Sequence, residues 1–311
     1  MDAAGLLADL ARFLQYGGAV IVFGTALFCL KSLPPSGDAS ASHLRWPKPL
    51  LAGAALTLLI GSLLSWIAQS ATMGGVPLAQ VDYATAVTIL TDMSWGHALV
   101  VRFVSSLAVL LMTLVLRPSR PAISASLAFG AVSLATFAFT GHGAATDGSL
   151  GWLHVGSDIL HSLAAGVWLG ALVAFLLLLG SSDAASEPNR SVLIDALRGF
   201  SGTGTLLVAI LVATGIVNGL FLISLSNLSA VLTTGWGRLL AIKLMVFVAM
   251  LGLAAMNRFR LTPALENANT ASGTAKAIGD LRRSLVWETL AGAAVLALIA
   301  VLGMMEPPAA Q

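Results

Sequence analysis

Leu153-His154-Val-Gly-Ser-Asp158-Ile-Leu-His161-Ser-Leu-Ala-Ala-Gly-Val-Trp168-Leu-Gly170-Ala-Leu-Val-Ala-Phe-Leu-Leu-Leu-Leu179 is apolar for long enough to cross a bilayer, yet it carries an acid and two histidines. A membrane helix needs roughly 20 apolar residues. Seven further stretches meet that length: Leu10–Leu30, Leu50–Ala71, Ala98–Leu116, Ile123–Thr140, Thr205–Leu225, Leu239–Met256 and Val286–Gly303. Apolar residues make up 57% of the 311 positions and charged residues only 10%. An ordinary soluble domain carries about 25% charged residues, so the charged shell of a water-soluble protein is missing. We therefore expect an all-α integral membrane protein of eight transmembrane helices, with the lipid bilayer as its solvent. Met1-Asp2 offers no basic run and no small-residue cleavage signal, so the first span reads as a retained helix, not a signal peptide.

Basic residues set the expected orientation. Lys31, Arg45 and Lys48 follow the first span, and Arg117 and Arg120 the third. Arg190 and Arg198 follow the fifth, and Arg258, Arg260, Lys276, Arg282 and Arg283 the seventh. The alternate segments 73–96, 143–151 and 226–237 hold no Lys or Arg. Both termini are thus expected outside, with the basic loops in the cytoplasm. The net charge of +2, with no Lys/Arg cluster interleaved with aromatics, argues against a nucleic-acid partner. The single cysteine, Cys29, excludes an intrachain disulfide and a cysteine-based metal cluster.

A faint repeat runs through the chain. Thr91-Asp-Met-Ser-Trp95-Gly96-His97-Ala-Leu99-Val-Val-Arg102 aligns with Leu232-Thr-Thr-Gly-Trp236-Gly237-Arg238-Leu-Leu240-Ala-Ile-Lys243, and Ala19…Gly24 aligns with Ala165…Gly170. The repeat divides the chain into two parallel four-helix halves, 1–142 and 151–305, related by an axis along the membrane normal. Chance likeness of two interfacial Trp-Gly turns is the plainer alternative.

Ionisable groups inside a bilayer are costly and usually face a bundle interior or a water path. Here they are Arg12, Arg102, His154, Asp158, His161, Lys243 and Glu288. His154, Asp158 and His161, at i, i+4 and i+7, share one helix face, and Trp168 lies two turns further along it. The two histidines are roughly 10 Å apart along the axis. That is too far to bind one metal ion together, but it suits successive stations for a moving cation, each with a second ligand from a neighbouring helix. His142, in Thr140-Gly-His142-Gly143, and His97 sit at the same outer end, while His43 lies in a basic loop. Met73, Met93, Met304 and Met305 add thioethers there. Imidazole and thioether suit Cu(I). Plainer readings stay open. A buried histidine can simply hydrogen-bond a neighbour, Asp158 can tie to Arg102 or Lys243, and Met304 and Met305 can be boundary residues. Glu288, expected within a turn of the cytoplasmic edge, can snorkel or meet Arg258 or Arg282. A haem b between His97 or His142 and His161 is the alternative cofactor.

With these residues in view, the chain resembles the copper resistance protein D (CopD) family of bacterial inner-membrane proteins. The resemblance rests on Thr140-Gly-His142-Gly, Leu153-His154, and His161-Ser-Leu-Ala-Ala-Gly-Val-Trp168-Leu-Gly170. It continues in Leu228-Ser-Ala-Val-Leu-Thr233-Thr-Gly-Trp236-Gly237-Arg238-Leu-Leu-Ala-Ile-Lys243-Leu, Asn257-Arg258, and Leu281-Arg-Arg-Ser-Leu-Val-Trp287-Glu288. The first three spans match more loosely, through Gly96 and Arg102. The resemblance implies movement of copper across or into the inner membrane from the periplasm, with a small CopC-type periplasmic partner. It carries copper roles to His142, His154 and His161. His97 departs from the family pattern and is a secondary candidate.

The combined expectation is a copper importer, not an enzyme. Its metal residues are His142, His154, His161, His97, Met93 and Met73, and its intramembrane charges are Asp158, Arg102 and Lys243. No G-x-x-x-x-G-K-[ST] motif is present to support ATP-driven pumping. Binding needs neutral imidazoles, so uptake should fall as pH drops through the histidine range. A copper delivery factor for a respiratory oxidase is the alternative.

Overall fold

The computed structural model describes residues 3–33, 47–141, 149–180, 187–223 and 233–308. Among them are eight helices long and apolar enough to cross a membrane, and no strand. They are α1 (Ala3–Ser32), α2 (Pro47–Gly74), α4 (Ser94–Val115), α5 (Arg120–Ala135), α6 (Ser149–Leu179), α7 (Glu187–Leu222), α8 (Gly235–Met256) and α10 (Ala271–Leu302). α5 tightens into a 3₁₀ turn at Thr136–Phe139, and α8 passes through a π-helical turn, Asn257–Leu261, into the short α9 (Thr262–Glu266).

Two departures from the sequence reading matter. The outer segment 73–96, read as a loop, contains the helix α3 (Tyr83–Asp92). Its N-cap Asp82 accepts from the Thr85 backbone N–H at 2.8 Å and from the Thr85 hydroxyl at 2.7 Å, satisfying donors that a helix start leaves orphaned. Trp66 ties α3 to α2 by donating to Ala86 O at 2.8 Å. The second departure is length. α7 begins at Glu187 and α10 at Ala271, both well before the apolar stretches that mark them in the sequence. Their first turns are polar helix, and Arg190, Arg198, Lys276, Arg282 and Arg283 lie on them, not in loops.

α1 and α6 are the most buried spans and form the centre. α1 packs on α2, α5, α6 and α10. At the α1–α6 crossing the backbones almost touch: a Cβ on Gly170 would stand 2.5 Å from Gly24 Cα and 2.8 Å from Thr25 N. Gly166-x-x-x-Gly170 supplies the flat strip this needs, as small residues do wherever membrane helices approach closely. Phe175 lies edge-on between Phe28 (5.0 Å) and Phe200 (5.6 Å), joining α1, α6 and α7 into the main core. α8 is the least buried span and packs on α10. Its exposed Leu244, Met245 and Val248 match a lipid-facing surface.

Several basic residues satisfy helix C-termini. Arg120 donates to Leu30 O at the end of α1, Lys48 to Leu116 O at the end of α4, and Arg190 to Leu265 O and Ala268 O at the end of α9. Cations are favoured at these carbonyl ends.

Candidate functional site

The histidine face of α6 packs on α7. The two helices run antiparallel, so His154 meets Phe221 and His161 meets Thr214. His154 is buried, its ring stacked on Phe221 at 4.5 Å and 6°. His161 Nδ1 lies 2.9 Å from Thr214 Oγ1. Between them Ser157 donates to Thr214 O at 3.2 Å.

The Thr214 contact favours one tautomer of His161. A threonine hydroxyl has one proton, and that of Thr214 is given to Ile210 O at 2.6 Å, the usual back-bond of a helical threonine. With the hydroxyl so placed, Oγ1 accepts from Nδ1–H, the arrangement that satisfies both groups and puts the lone pair on Nε2. One turn along α7, Asn218 has a buried Oδ1 with no hydrogen-bond partner. The sequence reading missed Thr214 and Asn218. Asn218, a lone amide inside an apolar run, was the available signal.

Charge flanks this seam. Lys243 of α8 and Arg12 of α1 lie within Coulombic reach of Asp158, and Lys243 also acts on His161. Arg12 further donates to the Tyr16 hydroxyl at 3.3 Å and meets Met304 Sδ at 3.9 Å.

Arg102 belongs to a different site. It is 1% exposed, and donates from Nε to Thr136 Oγ1 (2.9 Å), from Nη1 to Gln15 Oε1 (3.0 Å) and from Nη2 to Thr140 Oγ1 (3.2 Å). Its guanidinium also stacks over Phe137 at 3.9 Å. The expected tie between Asp158 and Arg102 is not made, because neutral acceptors of α1, the 3₁₀ turn and its C-cap Thr140 take up the guanidinium. The three expected charges thus divide into Asp158 with Lys243, and Arg102 apart.

The outer candidates are less enclosed. His97 is exposed, with Nε2 2.7 Å from Thr91 O, so its ring is tied to the outer segment rather than presented to the bundle. Met73 is exposed and Met93 half-buried. His142 lies outside the described residues. Among those described, no group of three or more His, Cys, Asp or Glu is arranged to hold a metal ion.

Glu288 needs a correction. Because α10 starts at Ala271, Glu288 sits mid-helix and is 1% exposed, and it meets neither Arg258 nor Arg282. Its Oε1 accepts from Trp168 Nε1 at 2.8 Å and its Oε2 from Asn257 Nδ2 at 2.8 Å. Arg258 turns instead to the Thr205 hydroxyl and the Phe259 ring.

Comparison with known proteins bears on this arrangement. Residues 1–152 match the family described as copper resistance protein D-like, N-terminal domain, and residues 194–302 match copper resistance protein D. The chain is 36% identical over 304 residues to copper resistance protein D of Pseudomonas syringae pv. tomato, covering 97% of each. The chain belongs to the copper resistance protein D family. It is also 26% identical to inner membrane protein YebZ of Escherichia coli (strain K12), over 95% of this chain and 97% of that one. Copper transport protein CutJ of Bacillus subtilis (strain 168) is 32% identical over 125 residues, 40% of this chain and 22% of CutJ. No solved structure matches. In copper resistance protein D terms, the N-terminal match ends at Trp152, so the histidine face of α6 begins just beyond it, ahead of the C-terminal match.

Proposed function

We propose that this multi-pass membrane protein imports copper across the bacterial inner membrane, and that Cu(I) moves along the α6 face past His154 and His161. The observation that carries the reading is the Thr214 contact, which leaves the Nε2 lone pair of a half-buried imidazole for a soft cation. A relative named as a copper transport protein supports transport as the activity. His142, His97, Met93 and Met73 serve capture at the outer end, where a small periplasmic copper protein of the CopC type would deliver the ion. Asp158 and Lys243, within Coulombic reach of each other, stand beside the path. Catalysis plays no part in this reading.

Both termini lie outside in this account, and the chain consists of two parallel halves, 1–142 and 151–305. Aligning Gly24 with Gly170 pairs Gln15 with His161 and Phe23 with Leu169. Gln15 meets Arg102 and Ser62, while His161 meets the field of Lys243 and the hydroxyl of Thr214. Phe23 packs against Gly130, and Leu169 against Gly292. These matched contacts support the repeat. They also support a division of labour, with a resident guanidinium filling one half and the histidine site in the other.

The test is cellular copper. Cells lacking the protein and supplied with the native chain should accumulate more cytoplasmic copper than cells making H161A at equal membrane levels. Equal copper in both, with loss of respiratory oxidase activity in H161A, would replace import with copper delivery to an oxidase.

A further inference from the structure

The path along α6 does not end at His161. Two turns further, roughly 10 Å, Trp168 presents its indole N–H to Glu288, and Asn257 presents its amide N–H₂ to the other carboxyl oxygen. A carboxyl group buried among membrane helices without a cation is costly in its charged form. Here both donors are neutral. From α6 the group facing Glu288 is Trp168, and from the π turn it is Asn257. The charged residues nearest in sequence are engaged elsewhere or exposed: Arg258 bonds Thr205, Arg283 pairs with Asp280 at 4.0 Å, and Arg282 is exposed. Across from them on α7, Arg198 pairs with Glu266 of α9 at 2.7 Å. Among the described residues no charged side chain lies against the carboxyl.

Asn257 supplies the second observation. It is 8% exposed, and its Oδ1 has no hydrogen-bond partner. An ionised Glu288 can use only the amide N–H₂. A protonated Glu288 has an O–H to give, and a half-turn of the amide brings the idle Oδ1 to accept it. Trp168 is donor-only and stays on Oε1 in either state. The site therefore satisfies the carboxyl in both protonation states, with Oε2 as the oxygen that carries the proton. Asn257 also opens the π-helical turn Asn257–Leu261, the kind of local insertion often found at functional sites.

We propose that Glu288, held by Trp168 and Asn257, is a reversible proton site of the membrane domain, and that it loses its proton when a cation arrives at His161. The coupling rests on the copper-transport reading; the proton site does not. The step is a single transfer: the Oε2–H bond breaks, the proton leaves to water, and the carboxylate left behind balances the positive charge added one station away. No electrons move.

Infrared difference spectroscopy of the purified full chain tests both parts. A protonated-carboxyl band should be present in the native protein, be lost in E288Q, and shift in N257A, which cannot accept the O–H. Adding Cu(I) should remove the band and release one proton per bound copper into a weakly buffered solution. E288Q should bind copper and release none, while H161A should keep the band and lose its response to copper. If no native band disappears in E288Q, Glu288 is not a proton site and the proposal falls. If the band belongs to Glu288 but ignores bound Cu(I), the coupling falls. If the native protein binds no copper, the transport reading fails, while a band absent from E288Q still establishes the proton site.

Discussion

Replacing Thr214 with valine tests the chemistry assigned to His161. Valine keeps the branched shape of threonine, so α7 and its packing on α6 should persist, and the hydroxyl's bond to Ile210 O is a local one. What is lost is the acceptor 2.9 Å from His161 Nδ1. Either the Nδ1–H stays without a partner, or the proton moves to Nε2 and blocks the lone pair. Copper binding at Nε2 would then have to restore an Nδ1–H that no longer has an acceptor, at about 1–3 kcal/mol, which corresponds to roughly a 5- to 150-fold rise in the Cu(I) dissociation constant at tenfold per 1.4 kcal/mol. Competition against a Cu(I) chelator would measure it, with a thermal melt to verify folding. S157A removes a hydrogen bond from the same seam without touching the imidazole, and should bind copper as the native protein does. A T214V protein with native affinity, alongside an H161A protein that has lost it, would refute the tautomer argument.

Three further outcomes follow from the geometry. G170A forces a methyl to within 2.5 Å of the α1 backbone, so it should destabilise by about 1–3 kcal/mol, whereas G252A, with open space around it, should not; indistinguishable melting temperatures would contradict the crossing. R102K cannot satisfy Gln15, Thr136 and Thr140 together, so it should lose about 1.5–3 kcal/mol of stability while copper affinity stays native; weakened copper binding in a folded R102K protein would tie Arg102 to the path. Hydrogen bonds from Thr85 hold the Asp82 carboxyl below the ordinary carboxylate range. Its contribution to α3 is therefore present above the unfolded value and lost as pH falls through the depressed folded one. Amide exchange in α3 should quicken only in strong acid for the native chain but already at neutral pH for D82A, and equal protection in the two at neutral pH would remove the cap.

The eight spans were legible because lipid imposes a length and an apolar composition that no other environment demands. The α6 stripe was legible because a 3.6-residue period puts His154, Asp158 and His161 on one face. The polar first turns of α7 and α10 were not, since residues such as Asp280, Arg282 and Arg283 look like loop to any measure of apolarity. That misreading put Glu288 in the first turn of its helix, where the structure has it mid-helix and buried. Partner choice was hidden for a different reason. Spacing brings Arg102 into the bundle, but nothing in it says that Gln15, Thr136 and Thr140 will supply the acceptors in place of Asp158. α3 was missed although Asp82-x-x-Thr85 is a helix-start signature, because its ten residues fall short of a span.

The most direct test of copper passage along α6 is Cu(I) uptake into proteoliposomes made with the native protein, H154A and H161A. The account predicts accumulation by the native protein, with the rate lost in H161A and reduced in H154A at equal incorporation. Native-level uptake by H161A would contradict it.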